Sequence, residues 1–505
     1  MDLILKISKE EIGLIADVDQ HLFVERSMRG GYVFHGDRIM KTDPSGQHTD
    51  EKSDAVFLDM NSLYPSAMSH YCLPCGNYKW LDNPCASNFP DIASVEENGA
   101  QGWFFEIDGE IPMEIHDSVK DFVFPCINRP VGRDSLSPYN LSLVEDGSMH
   151  WVPSKQKLIA DLNPKQNIVV HHVLLKWMVS NGFKVTKIHR ALQFDQKPYM
   201  KTFIDTFVSK RSQAKTKVEK EVYKLILNSA FGKMCESVRH RSRCDIVTNP
   251  KDCARIIADP NFTSFTIIDS NMVLLHRKKR NIVLNKNIAG GSAITEISKK
   301  LMLSFYYNVC KVQWPIEGQV QVYYGDTDSL LLKVKTENLL NDLENGEYIS
   351  SRMDYTNWDE SLYPELVKRQ APNQLLMLKS ETGSDLISSG VFPGPKVYCV
   401  ETHNKDIKQV CKGVPTHFVK NNFDMSVYRN CVERSLVPRA KVMAIRSLQF
   451  KNYTVRVEKN AMSAISDKVY VLEDGVKVLP HGHYLISDRV ECVEYRKQLG
   501  LEKLT

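Results

Sequence analysis

Two aspartates stand one residue apart inside an apolar stretch of the chain. Residues 322–330 read VYYGDTDSL, and the apolar run LLLKV occupies 330–334. Two apolar runs separated by GDTD predict a β-hairpin with Asp326 and Asp328 at its turn. On an extended chain, residues two apart point to the same side, so both carboxylates can face one side of the hairpin. Because unpaired buried charge is costly, the pattern predicts that something cationic binds there.

Asp59 provides a third carboxylate at the end of an apolar run. The run AVFLDM at 55–60 predicts a short buried strand. A single aspartate at such a position is usually a helix cap or a turn former. Three together indicate a site for two divalent cations about 4 Å apart, the arrangement that serves phosphoryl transfer. Hard oxygen ligands favour Mg²⁺, for which Mn²⁺ can substitute.

A cationic and aromatic helix face is predicted at KLILNSAFG. Lys224, Asn228 and Phe231 follow the spacing i, i+4, i+7 and fall on one face of a helix. Lys224 can meet a triphosphate, and Phe231 offers a flat surface to a base pair. Arg211 can add a second phosphate donor. The same spacing is also typical of an ordinary amphipathic helix.

Several other chemistries lack their signatures in this sequence. The GDTD loop has no EF-hand glycine or glutamate, and no Walker A loop, GxSxG elbow or HExxH helix occurs. The one CxxC, at 72–75, has no second pair at zinc spacing. The 12 scattered cysteines fit a reducing compartment.

Length and charge are compatible with a multidomain protein that contacts a phosphate backbone. The 505 residues predict two to four domains, and the net charge of +4 is only mildly basic. Basic residues cluster at 209–217, 239–243 and 276–280. Each cluster suits a phosphate backbone, although a solvated face explains any one of them as well.

Hydrophobic patterning predicts a mixture of strands and helices. We expect a strand at 102–111, a helix at 167–182, two helices at 201–236, strands and loops at 240–292, and an apolar helix at 294–312. Because no segment reaches 18 apolar residues, we expect a soluble intracellular protein without a membrane span, in the nucleus or the cytoplasm.

Four motifs in order resemble those of family B DNA polymerases. DMNSLYPSAM resembles motif A, KLILNSAFG motif B, YYGDTDS motif C, and the KVY of FPGPKVYCV the later KxY motif. The long segments between the motifs resemble the two terminal-protein-region insertions of the protein-primed branch. Segments 351–358, 412–420 and 462–475 look most like the Maverick/Polinton transposon form. The resemblance covers the chain from about residue 25.

The resemblance implies an α+β fold shaped like a right hand, with palm, fingers and thumb and an antiparallel palm sheet. The implied divisions are a linking segment that would join an exonuclease domain (1–54), the palm with a first insertion at about 75–195 (55–200), the fingers helices (201–236), a second insertion (237–293), the palm with motif C and KxY (294–400) and the thumb (401–505).

The resemblance also assigns roles to residues at matching positions. It implies that Asp59 and Asp328 bind two Mg²⁺ ions and that Asp326 supports them as a third catalytic carboxylate. Tyr64 would be the steric gate against a ribose 2′-OH. The implied nucleotide-binding residues are Ser62, Leu63, Tyr64, Arg211, Lys224, Asn228 and Phe231. The implied DNA-binding residues are Lys396, Tyr398, Gly30, Gly31, Gly232 and Thr327.

The sequence departs from the family pattern in three places. Motif B normally reads NSxYG, and Phe231 replaces the tyrosine, so a hydrogen bond that checks the nascent pair is lost. Met28 stands where YxGG has its tyrosine, which puts template guidance there in doubt. No DxE motif precedes Asp59, and 58 residues are too few for an exonuclease domain, so we expect no proofreading.

The sequence therefore predicts a DNA-directed DNA polymerase that adds dNTPs to a primer 3′-OH. The expected partners are template-primer DNA, dNTPs and a terminal protein as primer, and the expected state is a monomer. One alternative is an inactive transposon-derived remnant that only binds DNA. Retention of all three aspartates and Lys224 favours activity. An RNA-making or reverse-transcribing enzyme is disfavoured by DTD in place of DD and by Tyr64.

Overall fold

The computed structural model describes residues 2–47, 51–81, 90–369, 374–448 and 450–505. Parts of the predicted linking segment, first insertion, second palm part and thumb lie outside the described residues, namely 1 and 48–50, 82–89, 370–373, and 449.

The strands are β1 (Val33–His35), β2 (Ile39–Lys41), β3 (Ser53–Met60), β4 (Leu73–Trp80), β5 (Gln101–Glu110), β6 (Cys126–Val131), β7 (Ser154–Ala160), β8 (Lys165–His171), β9 (Lys184–Lys197), β10 (Ser242–Val247), β11 (Phe262–Asp269), β12 (Met272–Lys278), β13 (Val320–Asp326), β14 (Ser329–Lys335), β15 (Met353–Asp354), β16 (Leu378–Ser380), β17 (Ile387–Gly394), β18 (Val397–Thr402), β19 (Ile407–Cys411), β20 (Arg439–Leu448), β21 (Lys451–Asn460), β22 (Tyr470–Val471) and β23 (Val478–Leu479).

The helices are α1 (Asp2–Ser8), α2 (Val18–Ser27), α3 (Leu63–His70), α4 (His116–Val119), α5 (Pro138–Glu145), α6 (His172–Ser180), α7 (Lys201–Gln213), α8 (Lys217–Met234), α9 (Pro250–Ile257), α10 (Ile288–Ser304), α11 (Lys311–Gln313), α12 (Leu339–Asn345), α13 (Pro364–Arg369), α14 (Thr416–Asn422), α15 (Met425–Arg434) and α16 (Val490–Leu499). A π-helix at Phe305–Cys310 joins α10 to α11.

A mainly antiparallel sheet at the centre carries the sequence motifs. Its main path runs β1-β13-β14-β3-β17-β18-β19, and β2, β15 and β16 attach at its side. The runs VFL of β3 and LLL of β14 are apolar at successive positions because both faces of these strands are buried. The strand and hairpin predicted at 55–60 and 319–334 are both confirmed.

A second sheet, in the order β4-β9-β5-β8, comes from the segment between the first two motifs. Helix α10 packs against α3, α6 and α8, so this one apolar helix links the surroundings of the first two motifs. Residues 288–298 of this helix are all buried, including the charged Glu296.

Two antiparallel helices, α7 and α8, carry predicted nucleotide-binding residues: Arg211 lies in α7, and Lys224, Asn228 and Phe231 lie in α8. Helix α8 begins at a capping box in which the Thr216 hydroxyl accepts from the Glu219 amide and the Glu219 carboxylate accepts from the Thr216 amide. Phe203 and Phe207 of α7 and Leu227 of α8 are buried at the base of the pair. The prediction of two helices at 201–236 is confirmed.

Two predictions of secondary structure are wrong in part. The segment predicted as a helix at 167–182 begins as strand β8, and the helix starts only at His172. Its opening NIVV is a short apolar run, which periodicity alone cannot assign. The segment predicted as strands and loops at 240–292 also contains the helix α9 and the start of α10. Among the described residues, no helix is long and apolar enough to cross a membrane.

Candidate active site

Two carboxylates from neighbouring strands meet at the end of the central sheet. Asp59 of β3 pairs in register with Ser329, the residue after Asp328. The amide of Met60 donates to the carbonyl of Asp328 over 2.7 Å. This backbone bond fixes the two aspartates side by side, although 268 residues separate them in the sequence.

Burial and mutual repulsion make this pair reluctant to ionise. Burial, and then the charges of Asp328 and Glu381, raise the pKa of Asp59 to about 7. Burial, and then the charges of Asp326 and Glu381, raise the pKa of Asp328 to about 6. Neither carboxylate forms an ion pair with a side chain in the described part of the protein. Ionising both carboxyl groups is therefore costly unless a cation binds beside them.

Asp326 takes a different position from the one expected on an extended chain. Thr327, between the two aspartates, adopts the left-handed conformation with φ of 65°, so the chain turns there. The carboxylate of Asp326 instead binds Lys396 Nζ over 2.9 Å. The prediction that the spacing lets both hairpin carboxylates face one side does not account for this turn.

The donor set at this site fits a divalent cation. Within the described ranges, no three His, Cys, Asp or Glu side chains are grouped so that they could hold a metal. The assignment of Asp59 and Asp328 as metal ligands, with Asp326 as a supporting carboxylate, stays a prediction. Two oxygen-donor groups with raised pKa values and no ion-pair partner are what Mg²⁺ or Mn²⁺ would neutralise.

A fourth carboxylate, Glu381, was missed by the sequence interpretation. Its amide donates to the carbonyl of Phe57 over 2.7 Å, and its carboxylate pairs with Lys408. The Lys408 ammonium also lies 5.3 Å from the centre of the Phe57 ring. Glu381 acts on the pKa of both Asp59 and Asp328. No motif marks it, because it follows the three-residue strand β16 and only pairing with β3 brings it near.

An aromatic pair stands beside the carboxylates. The rings of Tyr64 and Phe231 are stacked, with centroids 4.0 Å apart and planes at 21°. Tyr64 lies in the first turn of α3 and Phe231 in α8, so the stack joins the first motif to the second. Burial and the charge of Asp328 raise the pKa of Tyr64 to about 12, so its hydroxyl stays neutral.

The chain makes a sharp turn before Tyr64. Ser62 adopts the left-handed conformation with φ of 53°, and its hydroxyl accepts from Arg211 Nη1 over 3.4 Å. Leu63 is 2% exposed and packs in the core, so its side chain is closed to a ligand. These contacts place Arg211 of α7 next to the turn after β3.

Of the predicted residues in α8, some lie at the site and others do not contact it in the part of the chain that the structure describes. Lys224 is exposed, yet close enough that its charge lowers the pKa of Asp59 against the larger opposing effects. Asn228 and Gly232 are also exposed, and no described atom lies within 4 Å of a Cβ built on Gly232. Lys224 and Phe231 therefore lie at the site, whereas Asn228 and Gly232 show no contact with the site among the residues that the structure describes.

The hairpin motif YYGDTDS and the later motif KVY are joined by direct contacts. Besides the ion pair with Asp326, the Lys396 amide donates to the Tyr324 hydroxyl over 3.1 Å. The ring of Tyr398 lies 4.8 Å from that of Tyr324 and 5.8 Å from that of Phe57. Tyr398 is thus buried behind the strands that carry the acidic residues.

One of the two predicted glycines near the start of the chain, Gly31, approaches the hairpin turn. A Cβ on Gly31 would lie 2.4 Å from Thr327 Oγ1, so only glycine allows this approach. The Thr327 amide donates to the Tyr32 carbonyl over 2.9 Å. Gly30 is exposed and has no described atom within 4 Å of such a Cβ.

The raised pKa values predict how stability depends on pH when metal is removed. The unfolded chain loses these two protons near the ordinary pKa of 3.8, whereas the folded chain holds them until about pH 6 to 7. The metal-free fold therefore loses stability as the pH rises from 4 to 8. We expect a loss of about 2 kcal/mol, reduced for partial exposure of the pair.

Thermal melting of EDTA-treated protein between pH 5 and 8 measures this loss. The Asp59→Asn/Asp328→Asn variant should melt at a temperature that depends less on pH, and added Mg²⁺ should raise the melting temperature of the wild type at pH 8. Asp488→Asn, an exposed aspartate paired with Lys503, is the control. An equal pH dependence in the double variant and the wild type would contradict this assignment of the pKa shifts.

Solved structures of phi29 DNA polymerase share this fold. The complex with primer-template DNA aligns with a TM-score of 0.54 and 14% identity, over 91% of this chain and 65% of that one. The complex with primer-template DNA and incoming nucleotides aligns with a TM-score of 0.52 and 13% identity, over the same shares. This chain thus spans 65% of the length of that polymerase. At such identity the likeness shows the fold alone.

The family is shown by the sequence itself. Residues 21–301, more than half of the chain, match the family of type B DNA polymerases described as organellar and viral. The chain belongs to that family. A search of curated proteins found no match.

Proposed function

We propose that this protein is a DNA-directed DNA polymerase that adds dNTPs to a primer 3′-OH. The strands of the central sheet within 55–200 and 294–400 would form the palm, α7 and α8 the fingers, and residues 401–505, which also supply β19 of that sheet, the thumb. The segments at about 75–195 and 237–293 would be the two insertions. Membership of the type B family supports the class, and the chemistry rests on the site.

The observation that carries the proposal is the convergence of four distant motifs. Asp59 and Asp328 lie side by side, Tyr64 stacks on Phe231, and Lys396 binds Asp326. The fold therefore brings acidic groups, a pair of stacked aromatic rings and cationic side chains together at one site. Such a set suits a substrate that brings phosphates, a base and divalent cations together.

Asp59 and Asp328 would hold the two catalytic metal ions. When bound, Mg²⁺ would stabilise the charge that develops on the phosphate and on the attacking and leaving oxygens. Asp59 and Asp328 would be ionised in that state, because a bound cation favours the charged form of each carboxyl group. Asp326, held by Lys396, would add negative charge without being a principal ligand.

The remaining residues would bind and select the nucleotide and the primer. Lys224 and Arg211 would meet the triphosphate as cations, next to the backbone of Ser62 and Leu63. Tyr64, backed by Phe231, would fill the space that a ribose 2′-OH needs. Lys396 and Tyr398 would support the primer end. Contact of Asn228 with the incoming nucleotide remains a prediction. So do direct DNA contacts at Gly30, Gly31, Gly232 and Thr327.

The proposal also includes how DNA synthesis starts. We expect initiation on the hydroxyl of a separate terminal protein, as the two insertions and the resemblance to the Maverick/Polinton form indicate. Two phi29 polymerase structures that share this fold are complexes with primer-template DNA, which supports DNA as the partner. The expected monomeric state and the absence of proofreading remain predictions.

Primer extension by the purified protein tests the function. With a labelled primer on a longer DNA template, dNTPs and Mg²⁺, we expect products whose added bases follow the template. A template with one substituted base should change which single dNTP is added. Binding of the duplex without any extension, with either Mg²⁺ or Mn²⁺, would contradict the proposal and favour the DNA-binding remnant.

A further inference from the structure

A buried ion pair holds the segment before the glycines to helix α10. Arg29 and Glu296 side chains are 4% and 0% exposed, and Arg29 Nη1 lies 3.2 Å from both carboxylate oxygens of Glu296. Arg29 Nη2 also donates to the Val169 carbonyl of β8 over 2.8 Å. Arg29 thus links the chain after α2 to two elements distant in sequence.

The backbone of the same residue is held as well. Lys299 Nζ donates to the Arg29 carbonyl over 3.0 Å and lies 3.6 Å from Glu296. At the end of α2, the hydroxyls of Ser27 and Ser292 are 2.6 Å apart. Side-chain and backbone contacts to α10 therefore fix the chain at positions 27 and 29, directly before Gly30 and Gly31.

The segment after these anchors reaches the hairpin turn between the two aspartates. Gly31 packs directly on Thr327, and the Tyr32 carbonyl accepts from the Thr327 amide over 2.9 Å. Val33 then pairs with Asp326. A shift of Arg29 would thus pass through three residues to the turn that sets the direction of Asp328.

We propose that Arg29 and Glu296 are positioning residues that hold the Gly30–Gly31 segment against Thr327 and so fix the turn between Asp326 and Asp328. The expected effect on primer extension rests on the proposed function, whereas the expected effect on the backbone at Thr327 does not. A buried pair is weak evidence for stability, because apolar side chains of similar size often replace one without loss. A requirement for one fixed backbone conformation at the turn explains the pair better, since a shift of about 1 Å at a catalytic group lowers the reaction rate strongly.

The test replaces both charges with apolar side chains in the full chain. In Arg29→Met/Glu296→Met we expect a melting temperature near that of the wild type. Hydrogen exchange of the Thr327 amide, followed by mass spectrometry of peptides spanning 322–330, should speed up at least threefold. The kcat of primer extension should fall about tenfold while the KM for dNTP stays unchanged.

Two further variants make the result decisive. Arg26→Met/Glu106→Met removes another pair of α2, joined over 2.6 Å to β5, and should change neither readout. Glu296→Gln keeps the shape of the side chain and serves if the double replacement does not fold. Unchanged exchange at Thr327 in the folded variant would overturn the inference, whether or not primers are extended. Absence of extension by the wild type would overturn the proposed function alone.

Discussion

Asp328→Asn should abolish primer extension while leaving the protein folded. We expect kcat to fall about a thousandfold, equivalent to about 4 kcal/mol in the barrier, because one of the two carboxylates that would hold the metal ions loses its charge. Melting without metal should be unchanged or raised, because the charge that repels Asp59 is gone. Single-turnover extension in Mg²⁺ measures the first effect, and thermal melting measures the second.

Two further variants test whether the loss of activity is specific to Asp328. Glu337→Gln removes an exposed carboxylate that pairs with Lys52 and should extend primers like the wild type. Asp326→Asn should lose less activity than Asp328→Asn, because Asp326 is already paired with Lys396. Equal extension by Asp328→Asn and the wild type would remove Asp328 from the chemistry.

Tyr64→Val should let the enzyme accept ribonucleotides. The ring would leave no space for a 2′-OH, and forcing an extra atom into a packed site costs about 3 kcal/mol, or about a hundredfold. Removal of the ring should reduce the preference for dNTP over rNTP by that factor. The ratio of kcat/KM values for dCTP and CTP opposite a template guanine measures it.

Tyr64→Phe is the control for this gate. It keeps the ring and its stack on Phe231 but removes the hydroxyl, so sugar preference should stay within about threefold of the wild type. An unchanged preference in Tyr64→Val, with extension intact, would mean that another residue excludes the 2′-OH.

The local sequence predicts the elements that carry the chemistry well. Asp59 ends a strand of continuous apolar residues, the two runs around GDTD form a hairpin, and two helices occupy 201–236 as expected. Each of these follows from a pattern within about twenty residues. The adjacency of Asp59 and Asp328 needs strand pairing between segments far apart, and the resemblance to a known family supplied that expectation.

The features that the sequence did not reveal depend on tertiary contacts. Thr327 adopts a left-handed backbone, and Asp326 pairs with Lys396; the residue types indicate neither feature. Glu381 reaches the site only because the short strand β16 pairs with β3. The helix at 167–182 was wrong at its start because a short apolar run fits a strand equally well.

Metal binding tests the central claim most directly. In the presence of primer-template and a non-hydrolysable dNTP analogue, electron paramagnetic resonance of a Mn²⁺ titration counts the ions bound per chain. We predict two for the wild type and fewer than one for Asp59→Asn/Asp328→Asn, with both proteins folded. Equal binding of Mn²⁺ by the two proteins would show that these carboxylates do not hold the metal.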